Sequence, residues 1–122
     1  MGIDDVLERR RTERRQLLTR AREFAGSLPG ELSVRAVVVF GSVARGDFNL
    51  WSDVDVLVIA DRLPERFLDR LDALAPWPAR IQPIAWTSRE WQERLARRDP
   101  IALESVNRGV WLVGRCDGFE GG

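Results

Sequence analysis

Histidine, tyrosine and lysine are all missing from the 122 residues, and cysteine occurs once. Without histidine there is no Ser-His-Asp triad, no imidazole base and no His-ligated zinc. The lone Cys116 excludes an internal disulfide and a thiolate zinc cluster, and it fits a reducing, cytoplasmic setting. Without tyrosine the chain cannot be self-modified on that residue. Every basic side chain is an arginine, so a lysine nucleophile and a P-loop lysine are excluded. Basic and acidic side chains balance at 19 each, so net charge points to no particular partner. Long hydrophobic runs are also lacking. The apolar runs are strand-sized, so neither a membrane span nor a signal peptide is expected. Carboxylates remain as the plausible catalytic machinery.

What is present is organised around Gly41 to Asp55, GSVARGDFNLWSDVD. The apolar, β-branched runs Val34–Phe40 and Val54–Ala60 flank it and predict two strands. Both are nearly continuous rather than alternating, which predicts central strands covered on both faces. After the first strand, Gly41 lets the backbone turn sharply and approach a ligand. Ser42 offers a hydroxyl and an N–H where a short helix could begin at Val43, a setting suited to phosphate. Arg45 adds a charged donor fork. Asp53 and Asp55, two residues apart, leave a strand on the same face. Paired carboxylates repel unless a cation lies between them. Mg²⁺ suits such hard oxygen ligands and usually takes one or two carboxylates plus substrate phosphate oxygens.

Elsewhere the pattern predicts one α/β domain over residues 1–122. An amphipathic helix within residues 1–30 comes first, with Asp4 as its cap, then a core over 31–113 and a Gly-rich tail over 114–122. Arg9, Arg10, Arg11, Arg14 and Arg15 interrupt the helix stripe. They read as a patch for nucleic acid or an acidic partner, or as a solvated face paired with Glu8 and Glu13; the second reading is adopted. Trp51 reads either as a platform for a base or as a partly buried hydrophobe, and Asp47 as a partner of Arg45. Pro64 marks a helix start, and Phe67, Leu68, Leu71 and Leu74 form its apolar stripe. Arg80–Trp86 reads as a strand, with Pro83 pointing to an edge or a bulge. Thr87 and Glu90 form a capping box for a helix through Arg98, Asp99-Pro100 opens another that Gly109 ends, and Val110–Val113 adds a short strand.

The pattern Gly41-Ser42, ten residues, Asp53-x-Asp55 resembles the signature of the DNA polymerase β-like nucleotidyltransferases. With Arg45-Gly46 and Ser52 also in place, GSVARG followed by SDVDVLVI resembles the minimal nucleotidyltransferases. The likeness covers roughly residues 31–113 and is most specific over 41–58. It implies a small mixed β-sheet with helices packed on it. It also implies transfer of a nucleotidyl group, AMP by expectation, from ATP or another nucleoside triphosphate to a hydroxyl, with pyrophosphate released. Gly41 and Ser42 would hold the outer phosphates, Arg45 would support that loop or touch phosphate, and Asp53 and Asp55 would be the catalytic, Mg²⁺-binding pair. Minimal members often act as antitoxins that modify a HEPN-type RNase toxin, so such a partner is implied. Nucleic acid is not expected as the direct substrate, and a homo-oligomer is allowed. The family usually carries a third carboxylate on a later strand, but here Gln82 stands at the matching place, with Glu90 the nearest acid. That departure leaves a nucleotide-binding module without transfer activity as one alternative. A small-molecule nucleotidyltransferase is the other.

Overall fold

The computed structural model describes residues 2–49 and 51–114. Cys116 and the tail over 115–122 lie outside the described residues. Among the described residues, the α-helices and strands run in the order α1 (Ile3–Ser27), β1 (Val34–Phe40), α2 (Gly41–Arg45), β2 (Val54–Ala60), α3 (Phe67–Leu74), β3 (Ile81–Trp86), α4 (Ser88–Ala96), α5 (Pro100–Arg108) and β4 (Val110–Val113), with a 3-10 turn at Gly30–Leu32 between α1 and β1. The sheet order is β3-β2-β1-β4. β1 runs antiparallel to β2 and β4, whereas β2 and β3 are parallel. This is the mixed sheet with packed helices that the sequence predicts. Among the described residues, no helix is long and apolar enough to cross a membrane.

Period-two alternation explains why β1 and β2 carry almost no polar residue. Val37 and Val39 of β1, with Val56 and Val58 of β2, face Leu17, Leu18, Ala21 and Phe24 of α1. Ala36, Val38 and Phe40, with Leu57 and Ile59, face Trp91 of α4 and Ala102 of α5. Each fully buried Val, Leu, Ile or Phe contributes roughly 1.5–3 kcal/mol, so the sheet is held from both sides. Trp91 meets Trp86 and Trp111 at ring-centroid distances of 6.3 and 5.8 Å. The capping box holds: Thr87 Oγ1 accepts from Glu90 N at 3.1 Å, and Glu90 Oε1 accepts from Thr87 N at 2.8 Å. Asp99 caps α5 by accepting from Ile101 N and Ala102 N. β3 is an edge strand, the first of the two settings that Pro83 allows.

Three local expectations are corrected. Gly2, not Asp4, is the N-cap of α1, and Asp5 accepts from its N–H at 3.3 Å. α3 begins at Phe67, so Pro64 belongs to the preceding loop. The expected α3 stripe fails at its start, since Phe67 and Leu68 are 52% and 78% exposed. Arg70 is buried instead. Its Nε donates to Pro64 O at 2.6 Å, and its Nη1 donates to Ala85 O at 3.1 Å and Glu90 Oε1 at 2.7 Å. Those acceptors satisfy a guanidinium that would otherwise be costly to bury.

Candidate active site

The register of the sheet builds the site. Phe40, the last residue of β1, pairs with Asp55 of β2. Gly41 therefore turns directly beside the Asp55 side chain. Its φ is +77°, a region that L side chains rarely adopt. A Cβ built there would meet Asp55 Oδ2 well inside van der Waals contact and lie 3.2 Å from Asp55 Cγ. Glycine is thus required twice, by backbone conformation and by the carboxylate against it. α2 starts at Gly41, two residues before the position that the sequence suggests, and ends at Gly46 with φ +90°.

Asp55 lies in the same row of side chains as Phe40, Leu57 and Ile59, so it belongs to the sheet face covered by α4 and α5. Gln82 pairs with Asp55 across the parallel β2–β3 contact and shares that face. Asp53 is exposed and lies one residue before β2. The Asp55 carboxyl is held above its ordinary value, chiefly by burial, then by repulsion from Asp53 and Glu104, with Arg45 opposing. A cation would relieve that repulsion. Among the described residues, no group of three or more His, Cys, Asp or Glu side chains gathers to hold a metal.

Arg45 Nε donates to Asp47 Oδ2 at 3.2 Å, the pairing expected from the sequence. Its Nη1 donates to Glu104 Oε1, which α5 brings from 59 residues away. Asp47 first and Glu104 next raise the Arg45 pKa above its ordinary value. Glu104 carries no local signal in the sequence. α5 places it by packing on the Asp55 face. Arg80 is a second residue that the sequence did not mark. Its Nε and Nη2 donate to Ser52 O at 3.1 and 2.6 Å, fixing the chain just before Asp53. The same loop is closed by Trp51 N donating to Asn49 Oδ1 at 2.8 Å and by Asn49 N donating to Ser52 Oγ at 2.9 Å. Trp51 is 89% exposed, which removes the reading of it as a partly buried hydrophobe. Glu90 is committed elsewhere. Burial pushes it up, but Arg70 and the Thr87 amide outweigh that and hold it below its ordinary value.

Comparison with known proteins bears on the family and the fold. Residues 15–95 match the family described as a nucleotidyltransferase domain. A Methanocaldococcus jannaschii protein named "putative protein adenylyltransferase" is 54% identical over 80 residues, covering 59% of this chain and 48% of that one. The chain thus spans about half the length of that curated relative. A solved structure from Sulfolobus solfataricus, described as "a putative nucleotidyltransferase", superposes with a TM-score of 0.61 at 20% identity over 84% of both chains. That likeness concerns the fold. The family match spans both halves of the motif and the strand carrying Gln82, and on that ground the chain belongs to the nucleotidyltransferase domain family.

Proposed function

We propose that this chain transfers an adenylyl group from ATP to a hydroxyl group of a protein acceptor, with Asp53 and Asp55 as the catalytic pair. The observation that carries this reading is the β1–β2 register, which sets the Gly41 turn against the Asp55 carboxylate. A loop suited to phosphate and an acidic pair suited to a cation are thereby joined. Two carboxylates, one exposed and one half-buried under repulsion, fit Mg²⁺ completed by phosphate oxygens. When bound, that ion would neutralise charge developing on the α-phosphate. Gly41 and Ser42 hold the outer phosphates, and Arg45, released from Asp47 and Glu104, contributes charge to the same end. Asp53 and Asp55 hold the reacting end in line for displacement. A protein acceptor follows the printed name of the curated relative. An antitoxin role toward a HEPN-type partner belongs to the same reading and rests on the family resemblance.

A second reading, a nucleotide-binding module without transfer activity, is favoured by Gln82. It lies beside Asp55, where a carboxylate would complete a second metal site, and an amide is neither a base nor a strong Mg²⁺ ligand. One experiment separates the two. The protein is incubated with each labelled nucleoside triphosphate and Mg²⁺, with and without a HEPN-type protein. Label moving from ATP onto that protein, and lost in Asp53→Asn and Asp55→Asn, supports transfer. ATP binding without label transfer supports the binding module. Absence of binding to any of the nucleoside triphosphates overturns both.

A further inference from the structure

Arg10, Arg11, Arg14 and Arg15 of α1 divide into two kinds. Arg11 and Arg15 are exposed and lie 3.7 and 3.9 Å from the Glu8 carboxylate. Arg10 and Arg14, one helical turn apart and on one face, turn inward onto the motif. Arg14 Nε donates to Val43 O at 2.9 Å, and its Nη2 donates to Ala44 O at 3.0 Å. Arg10 Nη2 donates to Gly46 O at 3.1 Å and Phe48 O at 2.6 Å, and its guanidinium lies 4.5 Å from the Phe48 ring centroid. Four backbone carbonyls in and just after α2 are thus closed by two side chains.

The need for this follows from the length of α2. The helix has five residues, and its last carbonyls have no partner within it. Gly46 N and Asp47 N both donate to Ser42 O, which leaves Val43 O and Ala44 O to outside donors. A helix this short has no stability of its own, so its placement is imposed by what it packs on. From the opposite side of α2, Arg45 is drawn to α5 through Glu104. α1 and α5 therefore grip α2 from the two faces of the sheet.

We propose that Arg10 and Arg14 are positioning residues for nucleotide transfer: they lock α2 so that Gly41 and Ser42 stay aligned against Asp55. This rests on the reading that Gly41 and Ser42 hold the outer phosphates. The family match begins at residue 15, just after both arginines, so the brace is not part of that match. The guanidinium contacts onto α2 also separate these two arginines from the solvated face expected of the cluster.

The test uses the full chain carrying Arg14→Ala, Arg14→Lys or Arg10→Ala, with Leu95→Ala as a destabilising control in the opposite core. Two quantities are measured well below each melting temperature: ATP and AMP affinity with Mg²⁺, and amide hydrogen exchange at Gly46 and Asp47. Arg14→Ala is expected to weaken ATP binding about ten- to a hundred-fold, to leave AMP binding unchanged and to speed both amides. Arg14→Lys keeps the charge but loses the fork, so its effect should be intermediate. Leu95→Ala should move neither quantity. Unchanged exchange and ATP affinity in all the arginine variants would overturn the proposal. So would equal losses for ATP and AMP that Leu95→Ala reproduces at matched stability. If wild type binds no ATP, the nucleotide reading fails by itself, and exchange at Gly46 and Asp47 still decides the brace.

Discussion

Gly41→Ala is the substitution on which the site geometry makes its strongest demand. The backbone at Gly41 has φ +77°, so alanine there adopts a left-handed conformation at a cost of about 1–2 kcal/mol. The new methyl also occupies space held by the Asp55 carboxylate. Asp55 must rotate away or β1 and β2 must part, an overpacking cost of about 1–3 kcal/mol. A total near 3 kcal/mol, at about 4 °C per kcal/mol for a domain of this size, lowers the melting temperature by about 12 °C. On the proposed function, transfer activity should fall with it, because the carboxylate displaced is one of the pair assigned there to catalysis. A double-mutant cycle with Asp55→Ala separates the two costs. The Asp55 Cβ lies 3.4 Å from the built methyl, an ordinary contact, so trimming Asp55 removes the clash and leaves the backbone strain. Gly41→Ala should therefore cost about 1–3 kcal/mol less in the Asp55→Ala background, measured by urea unfolding. An equal cost in both backgrounds would falsify the Gly41–Asp55 contact. A Gly41→Ala protein that melts like wild type would refute the whole argument.

Asp55→Asn tests the electrostatics of the pair. The folded Asp55 carboxyl lies above its ordinary value, so its ionised form costs stability at neutral pH. That cost disappears as pH falls from above the folded value to below the unfolded one. The metal-free variant should equal or exceed wild type at neutral pH and lose that advantage on acidification; lower stability at neutral pH contradicts this. Ser42→Ala should weaken ATP binding more than AMP binding, by roughly 1.5–3 kcal/mol if one charge-assisted hydrogen bond is lost. Calorimetry giving equal losses for both nucleotides would place Ser42 away from the outer phosphates. Gln82→Glu adds an anion beside Asp55. It should lower metal-free stability by about 1 kcal/mol, a cost that Mg²⁺ offsets by mass action. Any gain in transfer should rise steeply across a Mg²⁺ titration. Robust wild-type transfer, unchanged by this substitution, would show that no third carboxylate is needed at that strand position.

Much of this architecture is legible without coordinates because its signals are local. The runs Val34–Phe40 and Val54–Ala60 became the two central strands residue for residue. Pro83 pointed to an edge or a bulge because proline cannot donate to a ladder, and Thr87, Glu90, Asp99 and Gly109 punctuated the last helices by capping chemistry. Gly41-Ser42 and Asp53-x-Asp55 named the candidate site, since a tight turn and a paired carboxylate each need particular residue types at short spacing. What those residues touch was decided by the tertiary structure. Asp55 and Gln82 share the α5 face because strand register, set by packing on both sides of the sheet, pairs them. Glu104 reaches Arg45, Arg80 holds Ser52, and Arg10 and Arg14 close α2 across wide gaps in sequence. The same property of arginine misled the reading of α3, where Arg70 is buried and Phe67 and Leu68 are exposed. A long side chain ending in five donors takes its place from whichever acceptors folding brings within reach. Nothing in its neighbours along the chain specifies those acceptors.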